Sequence, residues 1–172
     1  GTGAFLVINT GDSIRRSNAG LLSTLGWTDA GGTPTYCLEG SLFNAGTVVQ
    51  WLRDGLQIIE QSDEVNALAQ SVPDSGGGML VPAFTGWGTP HWDPQARGVL
   101  VGLTRDSNRG HIARAALEGI ALSVATLVEL AGEALGHDLR ELAVDGGAAA
   151  SDPLLQAQAD STGLPGRRPR NL

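Results

Sequence analysis

The run spanning residues 82–118, PAFTGWGTPHWDPQARGVLVGLTRDSNRGHIARAALE, constrains the fold of this chain more than any other segment. It opens as a turn-dense, aromatic-studded loop, passes through a short apolar strand, and ends in the start of an Ala-rich helix. Ser107 and Asn108 offer an N-cap, and a long helix is expected from residue 111 to about residue 135. Ala113, Ala115, Ala116, Ala121 and Ala125 keep its sides slim, so that a sheet or a second helix can approach closely. Gly136 is placed to end it.

Around this run the pattern alternates. Residues 4–9 read as a buried strand, and 20–25 and 34–39 as two more, joined through Asp29, Ala30, Gly31 and Gly32; short turns suggest a meander. From 42 to about 59 the period becomes helical, with Leu42, Ala45, Val49, Leu52, Leu56 and Ile59 on one stripe. Residues 62–78 are polar, end in three glycines and read as a loop. Residues 79–83 and 98–103 are short strands flanking the aromatic loop. A strand over 139–144 leads into Asp145-Gly146-Gly147, then a helix with Asp152 as N-cap, Pro153 at its first position and Gly163 past its end. The final GRRPRNL has no evident partner element. Early strands followed by alternating helix and strand predict an α/β domain with a mixed sheet flanked by helices.

Composition narrows the chemistry. With 41% hydrophobic and 17% charged residues, the chain can bury a core. The net charge of −7 argues against a nucleic-acid partner held by phosphate neutralisation. All eleven cations are arginine, so phosphates cannot be met by a P-loop lysine; they need backbone N–H groups, Arg, helix N-termini or a metal ion. Cys37 stands alone, which excludes an internal disulfide and paired-cysteine zinc spacings. No apolar stretch is expected to span a bilayer and no basic segment precedes the first apolar residues, so a cytoplasmic protein without a membrane partner is the expectation.

Three glycine features fall at element junctions: Gly1-Thr2-Gly3 before the first strand, Gly46 inside the first helix, and Asp145-Gly146-Gly147 between a strand and a helix. Taken singly, a turn, a packing notch and a tight connection explain each of them better than a ligand does. Gly46 and Gln50, at i and i+4, share a helix face that suits a planar ligand. His91, His111 and His137 have no paired metal-binding spacing, and no G-x-S-x-G elbow is present. Glu118 and Glu129 read as a solvated or interdomain face, and Trp87 and Trp92 as loop anchors in preference to a carbohydrate platform.

Residues 98–103 followed, after seven residues, by HIARAALE resemble the second signature of the FGGY carbohydrate kinase family. PAFTGWGTPHWDPQARG resembles the version of the upstream loop carried by the glycerol-specific branch, and TYCLEGSLFNAGTVVQWLRDGLQII and GTGAFLVINTG are similar to that branch too. The resemblance covers nearly the whole chain. It implies an actin-like, ribonuclease H-like α/β fold and an ATP- and Mg²⁺-dependent kinase that makes sn-glycerol 3-phosphate and works as a homo-oligomer. Nucleotide contacts would fall on Thr2, Gly46, Gln50 and Gly147, and Phe5 would pack against the glycerol carbons. Ser151 stands where such kinases commonly carry Asn, implying a weaker or water-mediated adenosine contact, since a hydroxyl cannot match both functions of an amide. The resemblance puts the catalytic Asp in a preceding domain and an Ala/Gly-rich helix after the last residue, so the chain by itself is expected to be inactive. Another FGGY polyol or sugar kinase, a non-catalytic actin-like nucleotide-binding module, and a purely structural piece are the alternatives.

Overall fold

β3 (Pro34–Leu42) is the most buried strand of the chain, and it occupies the centre of a three-stranded antiparallel sheet of order β1-β3-β2. β1 (Ala4–Gly11) and β2 (Leu22–Thr28) flank it. The expected meander is therefore not formed: the connection over 12–21 leaves room for β3 to return between the other two. Burial explains the order, because Cys37, Leu38 and Leu42 gain most from neighbours on both sides. The β2–β3 turn is held by Asp29, whose Oδ1 accepts from the N–H groups of Gly31 and Thr33 at 2.8 and 2.9 Å. The computed structural model describes residues 2–170, so Gly1 and Asn171-Leu172 lie outside the described residues.

The predicted helix over 42–59 is shorter and less regular than its apolar stripe suggests. Leu42 completes β3; α1 spans Gly46–Gln50 and continues as a π turn, Trp51–Gly55. Val48 and Leu52, four residues apart, are both fully buried. The wider turn then shifts the phase, and Leu56 emerges at the surface. Gly46 is thus the first residue of α1, where it carries no helix-interior penalty.

The segment expected to be a loop contains α2 (Glu64–Gln70), which buries Val65 and Ala69. β4 (Met79–Val81) and β5 (Val99–Val101) pair antiparallel, as the flanking-strand reading predicts. α3 (Arg109–Leu135) begins two residues earlier than expected, behind a reciprocal cap. Asn108 Oδ1 accepts from the Gly110 N–H at 2.8 Å, and the Asn108 N–H donates to His111 Nδ1 at 3.1 Å. Gly136, with φ of 74°, ends the helix.

β6 shrinks to Leu142–Ala143 and pairs in parallel with β7 (Gly166–Arg167), so the C-terminal tail does have a partner element. A 3-10 turn, Gly147–Ala150, intervenes before α4 (Asp152–Thr162). The N-cap of α4 is Ser151, one residue before the expected Asp152, and Ser151 Oγ accepts from the Leu154 N–H at 3.3 Å. Parallel and antiparallel pairing thus coexist, distributed over three sheets among the described residues. The architecture is α/β, with helices packed on sheets.

The main core joins α1, α2, α4 and β4 around the alanine face of α3, with Ala113, Ala116, Leu117 and Ala121 no more than 1% exposed. A smaller cluster of Ile8, Leu21, Leu38 and Ala131 seats the far end of α3 on the first sheet. An 18-residue window of α3 reaches a mean hydropathy of 1.5, so one helix is long and apolar enough to cross a membrane, contrary to the expectation from sequence. In this fold that apolarity serves packing, with 56% of the window buried inside the protein. A Cβ on Gly119 would run into the Leu80 carbonyl oxygen, so only glycine lets α3 lie against β4. Gly119→Ala should destabilise the protein by about 2 kcal/mol, the cost of overpacking against backbone that cannot retract. Urea denaturation checks this, and an unchanged midpoint would contradict it.

Candidate functional site

A cleft of about 670 Å³ opens where β1, α1, α2, the β6–α4 turn and α4 meet over the flank of α3. It brings together five of the six positions singled out in the sequence: Phe5, Gly46, Gln50, Gly147 and Ser151. They come from three separate regions of the chain: β1, α1 and the turn that leads into α4.

Thr2 is placed differently. It does not line the cleft; its carbonyl accepts from the N–H groups of Ala45 and Thr47 at 3.0 and 3.2 Å, and from Thr47 Oγ1 at 3.1 Å. Its backbone therefore closes the start of α1, while the next residue, Gly3, forms part of the cleft wall. Gly46 and Gln50, the two ends of α1, both face the cleft as their spacing predicts.

Phe5 lies on the outward face of β1 beside Val7, 65% exposed, whereas Ala4, Leu6 and Ile8 turn toward the protein. So large an apolar surface on a regular strand gains nothing for the fold of this chain.

The β6–α4 turn forms the opposite wall. Asp145 Oδ1 accepts from the Gly146 N–H at 2.7 Å, and Gly146 adopts φ of 88°. A Cβ on Gly147 would meet no atom within 4 Å, so the backbone there is bare to an incoming group. Arg168 braces the turn from behind, donating to the Ala149 carbonyl at 3.0 Å and to Asp152 Oδ1 at 2.8 Å. Ser151 Oγ, besides capping α4, donates to Asn66 Oδ1 at 2.5 Å.

Asn66, Ser62 and Asp63 line the cleft as well, and sequence reasoning missed all three because residues 62–78 read as loop. Val65 and Ala69 at i and i+4 were the available signal for α2, but seven residues make a faint period. A second depression of about 450 Å³, lined by Ile59, Leu68, Ser71 and Asn108 among others, holds none of the expected positions.

The run 82–118 stays out of the cleft except for Leu117. It is a brace. Thr89, 1% exposed, clasps β3 through Ser41: the Ser41 N–H donates to Thr89 Oγ1 and the Thr89 N–H to the Ser41 carbonyl, both at 3.0 Å. Buried Asn44 donates through Nδ2 to Thr85 Oγ1 at 3.1 Å and accepts from Thr47 Oγ1 at 3.2 Å, joining the loop to α1. Both indoles have their N–H groups satisfied, Trp87 on the Thr89 carbonyl at 3.1 Å and Trp92 on the Gly20 carbonyl at 2.9 Å, which is loop anchoring. Glu118 pairs with Arg114 at 2.6 Å.

Arg53 and Asp54, on the π turn, form an ion pair outside the cleft; the hydrogen bond from Arg53 holds the Asp54 carboxyl below the usual range and raises the guanidinium in turn. Among the described residues no three of His, Cys, Asp and Glu come together.

A bare glycine turn, both ends of α1 and an apolar floor from α3 thus line one cleft of an α/β domain. The chain belongs to the FGGY family of carbohydrate kinases, whose C-terminal domain it matches over residues 1–171, and its fold is the actin-like, ribonuclease H-like one. It is 55% identical to glycerol kinase from Alkalilimnicola ehrlichii over 169 residues, covering 98% of this chain and 34% of that protein. It is 53% identical to glycerol kinase from Myxococcus xanthus, covering 100% and 35%. The structure of Plasmodium falciparum glycerol kinase with ADP superposes with a TM-score of 0.89 at 34% identity, over 99% of this chain and 34% of that one. Xylulose kinase from Rhodospirillum rubrum shares the fold, with a TM-score of 0.80 at 24% identity over 98% and 33%. The chain thus spans about a third of the length of the curated relatives it matches.

The two turn glycines should respond differently to a methyl group. Gly146→Ala is expected to cost about 1 kcal/mol, because an L-residue is strained at positive φ. Gly147→Ala should stay within about 0.5 kcal/mol of the parent, as a side chain entering open space does. Thermal unfolding of both variants checks this, and equal losses would contradict the assigned turn geometry.

Proposed function

We propose that this chain is the nucleotide-side, C-terminal domain of an ATP-dependent kinase that transfers the γ-phosphate of ATP to glycerol, giving sn-glycerol 3-phosphate. One observation carries the reading: Phe5, Gly46, Gln50, Gly147 and Ser151, which the sequence resemblance assigns to glycerol and ATP, converge on one cleft. The glycerol kinases at 53–55% identity support the choice of glycerol over a sugar. The ADP held by the Plasmodium enzyme supports the nucleotide.

Phosphoryl transfer requires positioning and charge stabilisation more than covalent chemistry from the protein. On this reading α1 and the bare Gly147 backbone grip the nucleotide from two sides, while Thr2, fastened to the start of α1, lies toward the terminal phosphates. Exposed Phe5 packs against the carbons of glycerol and leaves its hydroxyls to polar groups. We assign no catalytic residue in this chain; the base that takes the glycerol proton belongs to a preceding domain, and the chain alone should not turn over. Mg²⁺ would supply charge neutralisation to the phosphates, and no step is assigned through it. The same reading places the protein in the cytoplasm with its ATP supply and expects a homo-oligomer, with neither nucleic acid nor membrane as partner.

The test is glycerol-dependent ADP formation, measured for the whole protein and for the 172-residue chain. The whole protein should turn over and prefer glycerol to pentoses, and the chain should not. Phe5→Ala in the whole protein should raise the glycerol KM about tenfold, the loss of one aromatic packing contact, and leave the ATP KM nearly unchanged. A pentose preference, or an equal rise in both KM values, would remove glycerol from this reading.

A further inference from the structure

Asn66 uses only one end of its side-chain amide within the fold. It sits in the middle of α2, half-buried, and its side chain lines the cleft. Its Oδ1 accepts the Ser151 hydroxyl at 2.5 Å, while the same hydroxyl oxygen accepts from the Leu154 N–H at 3.3 Å. That arrangement sets the polarity of the amide. The Ser151 proton is committed to Oδ1, so Nδ2 is directed away from Ser151.

Nδ2 has no hydrogen-bond partner among the described residues. No buried side-chain nitrogen or oxygen there is left without a partner, so Nδ2 remains accessible. The cleft around it is mixed, with Val65, Ala149 and Leu154 giving an apolar part and Ser62 and Asp63 a polar one. A flat ring can lie on the apolar part, and an amide at its rim can donate one or two hydrogen bonds to ring or sugar acceptors.

We propose that Asn66, oriented by Ser151, is a specificity residue that donates a hydrogen bond to the nucleoside part of the bound nucleotide. This rests on the reading of the cleft as a nucleotide site. The two residues have complementary roles. Ser151 has no amide and holds one in place, and Asn66 supplies the donor from a different helix. Ser151 is then a positioning residue, and the contact with the ligand is made by its neighbour.

The experiment is titration calorimetry on the whole protein with two probes, ADP and inorganic tripolyphosphate, which has the phosphates without the nucleoside. Asn66→Ala should lower the ratio of ADP to tripolyphosphate affinity about five- to tenfold, as expected for one lost hydrogen bond. Ser151→Ala should lower the same ratio in the same direction, whereas loss of the α4 cap alone would weaken both probes together. Asn66→Asp keeps the acceptor for Ser151 but has no donor; it should lower the ratio too, and it carries the test if the alanine variant does not fold. A ratio within twofold of the parent in Asn66→Asp overturns the proposal while leaving the nucleotide reading intact. A parent protein that binds no ADP overturns both.

Discussion

The structure depends on how closely one long helix can be approached. α3 is lined with alanines on its buried face, and at Gly119 it lies directly on the backbone of β4. Close approach lets α2, α4, β4 and the first sheet all pack on a single element, and the core clusters are the product of that convergence. A bulkier face would have pushed these layers apart, and dispersion contacts fall away steeply with separation.

The cleft follows from the same convergence. α1 reaches it because Thr2 closes the start of the helix and the 82–98 loop is clasped to β3 and α1 through Thr89, Ser41 and Asn44. The β6–α4 turn reaches it because Arg168 ties the tail back onto Ala149 and Asp152. α4 presses on α3 and carries Ser151 with it. The most distinctive part of the sequence is therefore a brace, and the cleft is lined by bare glycine backbone, apolar side chains including Phe5, and the amides of Gln50 and Asn66.

Much of the fold was legible in the sequence where local signals agree. α3 had periodicity, a cap and a terminating glycine, and it formed with its start displaced by two residues. The helix after Asp145-Gly146-Gly147 was displaced by one, because Ser151 captures the Leu154 N–H. Where signals were local but weak, the reading failed: α2 is too short to show its period, and the π turn after α1 breaks a stripe that looked continuous. The sheet order was not readable, since β1, β2 and β3 alternate alike and only burial of β3 on both sides selects the centre. In the site, Phe5, the Gly46–Gln50 helix face, Gly147 and Ser151 were visible as residues but not as walls of one cleft, and Asn66 was not visible at all.

By itself the sequence determined the family and the glycines, Gly136 and Gly163, that end α3 and α4, because these are properties of contiguous residues and of backbone φ. Tertiary structure alone decided that Thr2 supports the cleft through its backbone and does not line it. It also decided that the C-terminal tail pairs with β6, and that the Ser151 hydroxyl is engaged by an asparagine 85 residues away. The physical reason is the same in each case. A hydrogen bond between distant segments depends on where packing brings their atoms, and that information is spread over the whole core.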